Sequence, residues 1–422
     1  MEVQAFYERY PYPPPTDDLA AYRQRWQDRE RRRADFHLFW PTRSYREDYS
    51  ILIAGCGTSQ AAKYAIRWPA ARITAIDFSA TSVEHTEQLK RKYELENLLI
   101  EQLPIERVGE LGKTFDQVIC TGVLHHLPDP AAGLRALRGV LETQGAMHLM
   151  VYAPYGRSGI YMLQEFCRRI GFRAPDADIG ALLVALEALP ATHPMTRLLH
   201  EAPDFRSEAG LADALLHPQD RAYSVPQLFA FLATNGLTFG RWLRQAPYSL
   251  QAGLMSRIPD ALRAATLPLA DQYAAAELFR GNMMRHSAIA YRDDNAGVPR
   301  ISFHDDGWLG YTPIRGPDTV SVRERLPPGV AAILINRAHS HTDIFLPIYP
   351  RETRLLEAID GKRTIREMLA SEAERDAARF LFERLWWHDQ VVFDAARGGK
   401  GGATPCGPGP VCRDRGCDGA AG

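Results

Sequence analysis

The chain has 422 residues, 45% of them hydrophobic and 24% charged, with a formal net charge of −1. At about 100 to 200 residues per domain this suggests two or three domains, able to bury a core without disulfide or metal staples. The charge balance excludes a whole-molecule field that would draw in nucleic acid, and no apolar run reaches the roughly 18 residues of a membrane span. The start, MEVQAFYERY, lacks the basic-then-apolar pattern of a secretory signal. Six cysteines in a chain of this length make no disulfide framework, so a reducing cytoplasm is expected.

Residues 1–47 read as a helical cap segment. Its first helix runs into the prolines of PYPPPT, which cannot continue it. AAYRQRWQDRERRRADFHLFW then predicts one arginine-rich helix, solvated and partly neutralised by Asp28 and Glu30. From residue 48 strands and helices alternate. SILIA, RITAID, NLLIEQ, FDQVICTG and GAMHLMVY are strands; SQAAKYAIRW, ATSVEHTEQLKRKYE and DPAAGLRALRGVL are helices. Short apolar strands spaced by amphipathic helices predict an α/β fold, a doubly wound and mainly parallel sheet covered on both faces. Residues 157–222 read as a helical insertion that caps the pocket. SVPQLFAFLATNG is a helix, and LTFGRWLRQA and HSAIAYRD close the domain at about residue 296. A small winged-helix-like α+β unit is expected over 297–396. The Gly/Pro-rich tail, 397–422, cannot offset its ordering entropy and is expected to be disordered.

The stretch ILIAGCGTSQ, residues 51–60, is the chemical focus. A buried strand that breaks into glycines before a helix is how a fold cradles a nucleotide. A dinucleotide site needs G-x-G-x-x-G and an acid about 20 residues on. Gly55 and Gly57 fit and Asp77 is suitably placed for ribose hydroxyls, but Gln60 stands where the third glycine belongs.

The whole series AGCGTSQ, AIDFS, EQLPIE and FDQVICTGVLHHLPDP resembles the class I S-adenosylmethionine (SAM)-dependent methyltransferases, closely over about residues 48–152. FYERYPYPPPTDDL is similar to an amino-terminal segment of a bacterial subgroup of them. The resemblance implies a seven-stranded Rossmann-like sheet with its last strand antiparallel, and SAM as cofactor. It implies that Ala54, Gly55, Cys56 and Gly57 form the turn against the methionine and ribose portions. Asp77 would accept from both ribose hydroxyls, Phe78 would lie against the adenine, and Gln102 and Leu103 would edge it. Thr121 and Gly122 would face the methionine end. Ile53 replaces the acid usual two residues before the first glycine, and Ser59 replaces the last glycine of that motif as a helix-capping serine.

Methyl transfer from a sulfonium is an in-line displacement in which the protein chiefly aligns the partners. His125 and His126 are the candidate bases. Tyr7, Tyr10 and Tyr12 form an aromatic segment able to close over the methyl group, and Tyr152 and Tyr155 are candidate acceptor-pocket residues. His339, His341 and Asp343 in HSHTD read as a polar turn rather than a metal site, and Cys406, Cys412 and Cys417 match no familiar zinc spacing. The expectation is thus a metal-free cytoplasmic methyltransferase with an unidentified small-molecule or protein acceptor, its C-terminal unit recruiting a protein or peptide or dimerising. A nicotinamide-dependent reductase and a non-catalytic SAM-binding scaffold stay open as alternatives.

Overall fold

Strand β1 (Ser50–Ala54) carries four consecutive buried apolar residues, Ile51 to Ala54. Such a strand requires cover on both faces, and the fold supplies it. The computed structural model describes residues 2–11, 13–172, 175–201, 205, 207–258 and 266–396. The expected tail, with its three cysteines, and Tyr12 lie outside the described residues.

The main sheet adds β2 (Arg72–Asp77), β3 (Leu98–Gln102), β4 (Phe115–Thr121), β5 (Leu141–Tyr152), β6 (Leu237–Trp242) and β7 (Arg285–Arg292). Its order is β3-β2-β1-β4-β5-β7-β6. β7 runs antiparallel to both β5 and β6, while the other neighbours are parallel. This is the expected seven-stranded, doubly wound sheet. The chain order reverses between β1 and β4, the switch point where a crevice opens beyond the strand ends.

One face packs Leu52, Val118, Leu149 and Ala288 under α6 (Pro130–Gly139) and α11 (Val225–Thr234). The other packs Ile51, Ile53, Ile119 and Ile289 with residues from α3 (Arg29–Phe39), α4 (Gln60–Arg67) and α5 (Ala80–Tyr93). Ahead of α3 come α1 (Glu2–Arg9) and α2 (Ala20–Trp26). The arginine-rich stretch expected as one solvated helix is therefore two. Asp28 divides them, its carboxylate accepting from the Glu30 N–H at 2.9 Å as the cap of α3. Nor is α3 merely solvated: Arg31 pairs with Asp318 at 3.2 Å, Arg32 with Glu47 at 3.2 Å and Arg33 with Asp394 at 3.0 Å. Two of those carboxylates come from the far end of the chain, beyond the reach of any local pattern.

Between β5 and α11 lie α7 (Ser158–Ile170), α8 (Pro175–Glu187), α9 (Pro194–Glu201) and α10 (Glu208–Leu215), with a core of their own around Ile160, Leu163, Met195 and Leu211. α12 (Leu269–Arg280) precedes β7. The C-terminal unit has a two-stranded sheet of β8 (Thr312–Arg315) and β12 (Val391–Asp394). It also has a three-stranded sheet of β9 (Thr319–Val322), β10 (Ala332–Asn336) and β11 (Leu346–Ile348). Helices α13 (Pro350–Glu357), α14 (Ile365–Met368) and α15 (Arg375–Trp387) complete its core around Trp308, Leu381 and Phe382. Buried Asp389 clamps this unit to the first, accepting from the Gln245 and Ala246 N–H groups at 2.7 and 2.9 Å and pairing with Arg241 at 3.3 Å.

A second buried carboxylate, Glu277 on α12, holds the far end of the sheet. It accepts from the Val225 N–H at 2.8 Å and meets His286 Nε2 at 2.9 Å, while His286 Nδ1 meets the Tyr248 hydroxyl at 2.7 Å. Removing one member of such a network strands the rest, at about 3–5 kcal/mol. Glu277→Ala is expected to destabilise the chain by that amount in urea unfolding, and a change below about 1 kcal/mol would mean the network is incidental.

Acid should also weaken the fold. Burial holds His37, His217 and His388 at a pKa of about 4 and His148 at about 3. Each pKa is depressed on folding, so the unfolded chain binds more protons below its ordinary value of about 6.5. The stability from their neutral burial is complete above that pH and drains as pH falls toward 3–4. The melting temperature is expected to drop by roughly 5–10 °C between pH 7 and 5. A flat profile would show these rings are protonated in place.

Candidate active site

The turn after β1 is built by two glycines with positive φ, Gly55 at 70° and Gly57 at 53°. A Cβ at Gly55 would lie 2.4 Å from a Val123 methyl, so the backbone there approaches the loop after β4 as only glycine permits. The Gly55 and Cys56 N–H groups donate to the Ile76 carbonyl at 2.9 and 3.0 Å, fixing the turn to the end of β2. There Asp77 accepts from the Gly57 N–H at 2.9 Å and the Ser79 N–H at 3.0 Å. Each carboxylate oxygen keeps acceptor capacity for a further donor. Burial pushes the Asp77 carboxyl above its ordinary range, as befits a group awaiting donors.

These residues line a cleft of about 2200 Å³ across the carboxyl ends of the strands. That exceeds the roughly 300–1,000 Å³ of a single small-ligand pocket. Of the residues singled out in the sequence, Gly55, Cys56, Gly57, Asp77, Phe78, Leu103, Thr121, Gly122, His126, Tyr7, Tyr152 and Tyr155 all line it. Ala54 lies beneath the turn, buried in the sheet core. Gln102 is exposed, its amide donating to the Phe78 carbonyl at 3.2 Å. Tyr10 packs on Phe6. His125 is fully buried behind the cleft, its ring 3.9 Å from that of Tyr152. Ser59 occupies the helix N-cap without a capping hydrogen bond from its side chain.

The end of the cleft nearest β5 holds a polar cluster that the motifs did not reveal. Asp213, on α10, is fully buried and accepts from the Tyr7 hydroxyl at 3.0 Å and the Tyr152 hydroxyl at 3.4 Å. His126 and His217 each offer a ring nitrogen within 4.8 Å of that carboxylate and of each other. His126 Nδ1 faces the Gln219 carbonyl at 2.8 Å, so it carries the proton there and leaves Nε2 as an acceptor. His217 Nδ1 accepts from the Gln219 N–H at 3.0 Å, which places its proton on Nε2. His126 Nε2 can take a proton as it stands, whereas a metal held by His217 would have to displace either the Gln219 N–H bond to Nδ1 or the proton on Nε2. Burial raises the Asp213 carboxyl and the Tyr7 hydroxyl and lowers the His126 ring. The Arg157 guanidinium lies 3.5 Å over the Tyr152 ring and pairs with Asp220 at 3.2 Å. The sequence singles out Tyr7, His126 and Tyr152 one by one; for Asp213 and His217 its signal is only their spacing, four residues apart at a helix end.

Parts of the chain are similar to known proteins. Residues 52–147 match the methyltransferase domain family. The matched segment spans β1 to β5, hence both the glycine turn and Asp77. An uncharacterized protein of Synechococcus sp. is 35% identical over 248 residues, covering 56% of this chain and 58% of that one. The ubiquinone biosynthesis O-methyltransferase of Xanthomonas oryzae pv. oryzae is 30% identical over 144 residues, covering 32% of this chain and 58% of that one. The matches thus span less than two thirds of the curated relatives. Among solved structures, PKMT2 from Rickettsia typhi superposes with a TM-score of 0.61 at 15% identity, covering 90% of this chain and 76% of that one. Its complex with AdoHcy gives a TM-score of 0.58 at 15% identity, covering 91% and 77%. The likeness to these structures, at 15% identity, shows a shared fold. No helix among the described residues is long and apolar enough to cross a membrane.

Proposed function

We propose that this chain transfers the methyl group of SAM to an acceptor that enters the cleft from the β5 side. The observation that carries the reading is Asp77, a buried carboxylate lining the cleft beside a glycine turn, within the segment that matches the methyltransferase domain. The residues present fit the cofactor. Asp77 has spare acceptor capacity for two ribose hydroxyls, and the φ of 80° at Gly122 keeps the loop after β4 free of a side chain. Ile53 is sealed in the sheet, so the ammonium must be met elsewhere. Gln60 and Thr121, bonded to each other at 2.7 Å and both lining the cleft, supply oxygen acceptors for it.

When bound, SAM supplies an activated methyl on a sulfonium, a leaving group that needs no acid. The chain's part is alignment, worth roughly 7–11 kcal/mol, and removal of the acceptor's proton. Tyr7, Tyr152 and His126 wall the space beyond Thr121 and Gly122, and Asp213 is the proton's final holder, through a tyrosine hydroxyl or His126 Nε2. The FYERYPYPPP segment is the closing element of a bacterial subgroup, and the C-terminal unit, whose residues 336–343 line the cleft, recruits a protein or peptide acceptor. Free buried Cys56, Cys120 and Cys167 support a reducing, cytoplasmic setting.

Calorimetry of the full chain with SAM, AdoHcy and NADH tests the reading. Micromolar binding of the first two and not the third is expected; NADH binding alone, or no binding, overturns it. Transfer of labelled methyl from SAM into a cell extract separates an enzyme from a scaffold.

A further inference from the structure

The cleft extends past the cofactor end into an arm lined by cations. Its floor is the top of β5, β7 and β6, with His148, Arg285 and Arg244; its walls are α4, with Lys63 and Arg67, and the β10–β11 turn, with Arg337 and His339. The carboxylates of this arm are engaged within the protein. Asp35 is held by Arg67 at 3.3 Å, Asp389 by Arg241, Asp343 by Arg280 at 3.2 Å, and Asp318 by Arg31 with Arg244 at 3.9 Å. Lys63, Arg285 and Arg337 have no carboxylate in ion-pair range among the described residues. Lys63 is half-buried, and burial pulls its ammonium below the ordinary range. Arg285 and Arg337 are exposed, but like charges gathered along one arm still repel one another, and an anion relieves that cost.

Two imidazoles mark where it would sit. His148 is buried with neither ring nitrogen hydrogen-bonded, and the charges of Arg67, Arg244 and Arg285 all act on it. The His339 nitrogens are likewise unpartnered, with Arg244 again nearby. The arm adjoins the chemistry. Arg285 stands opposite Tyr152 in the β5–β7 pairing, one strand spacing of about 4.8 Å away. Tyr152 is bonded to Asp213.

We infer that this arm binds an anionic group of the methyl acceptor, a phosphate or a carboxylate, and so fixes its nucleophile against the methyl. Guanidinium pairs suit both groups, because two N–H donors match two oxygens. The inference rests on the methyltransferase reading, and its test keeps the two apart. Pyrophosphate and citrate are titrated into the full chain at low salt, with AdoHcy titrated in parallel. At least one probe should bind at 1:1, and Arg244→Ala/Arg285→Ala should weaken it by about tenfold or more with AdoHcy affinity unchanged. The stronger probe tells which anion the arm prefers. Arg285 is exposed and makes no side-chain hydrogen bond among the described residues, so Arg285→Ala alone keeps the test open should the double variant unfold. The inference falls if neither probe binds the wild type while AdoHcy does, or if both variants bind as the wild type does. A wild-type chain that binds neither SAM nor AdoHcy overturns the methyltransferase reading, and the acceptor assignment with it.

Discussion

Asp77→Ala weakens SAM and AdoHcy binding by about a hundredfold or more while the chain stays folded. The carboxylate has two duties. Inward, its oxygens hold the Gly57 and Ser79 N–H groups, which shapes the glycine turn. Outward, the same oxygens have capacity for the two ribose hydroxyls. A hydrogen bond to a charged group contributes about 1.5–3 kcal/mol, so losing two costs about 3–6 kcal/mol, or two to four powers of ten in affinity. Asp77→Asn is expected to fare little better. Its amide has one acceptor oxygen, so its NH₂ must face either Gly57 N–H or Ser79 N–H, donor against donor. Calorimetry with AdoHcy reads both variants, and circular dichroism checks their fold. Wild-type affinity in Asp77→Ala would place the nucleotide somewhere other than the end of β2.

Why this much could be read from the sequence has a physical basis. β1 is buried on both faces, so Ile51 to Ala54 are apolar in an unbroken run, β2 and β4 bury the shorter apolar stretches Ala75–Ile76 and Val118–Cys120, and the turn between β1 and α4 tolerates only glycine at φ of 70°. Those are local demands, and they leave local traces. The proposed proton-holding cluster is different: Tyr7, His126 and Tyr152 are each singled out in the sequence, but they and Asp213 come from four separated segments, and nothing in any one segment joins them. Asp213 lay hidden in LADALL, where a helix with mostly apolar neighbours gives no sign that a carboxylate is buried. The division of the arginine-rich helix at Asp28 and its docking on Asp318 and Asp394 were equally invisible, since the partners are about 290 to 360 positions away. In the C-terminal unit the helices were legible, but β8, β9 and β11 were not. At three or four residues each they are too short to show a period of two.

Deleting residues 1–15 is expected to speed AdoHcy release by about tenfold or more and to weaken its affinity accordingly. The segment is strapped across the proposed nucleotide site at several points. The Gln4 amide donates to the Phe78 carbonyl at 3.1 Å, and the Thr58 hydroxyl donates to the Pro13 carbonyl at 2.8 Å. The Glu8 carboxylate accepts from the Ala80 and Thr81 N–H groups at 2.7 and 2.9 Å, at the positive end of α5. The Thr81 hydroxyl, which also donates to Glu8 at 2.5 Å, and then those N–H groups hold the Glu8 carboxyl below its ordinary range in spite of the upward pull of burial. Tyr7 meanwhile reaches over to Asp213. These anchors flank Gly57, Asp77 and Phe78, so the strap covers the place where the ribose and adenine would lie. A nucleotide must then wait for the strap to lift, and release is gated by breaking several modest bonds rather than by its own contacts. Glu8→Gln tests the gate more gently. It replaces one acceptor oxygen with a donor facing an N–H, and should raise the release rate by a few-fold with the strap still present. Stopped-flow displacement of AdoHcy measures both. Release unchanged in the deletion would mean the nucleotide leaves by the arm toward β7, and the strap would then serve the acceptor end through Tyr7 alone.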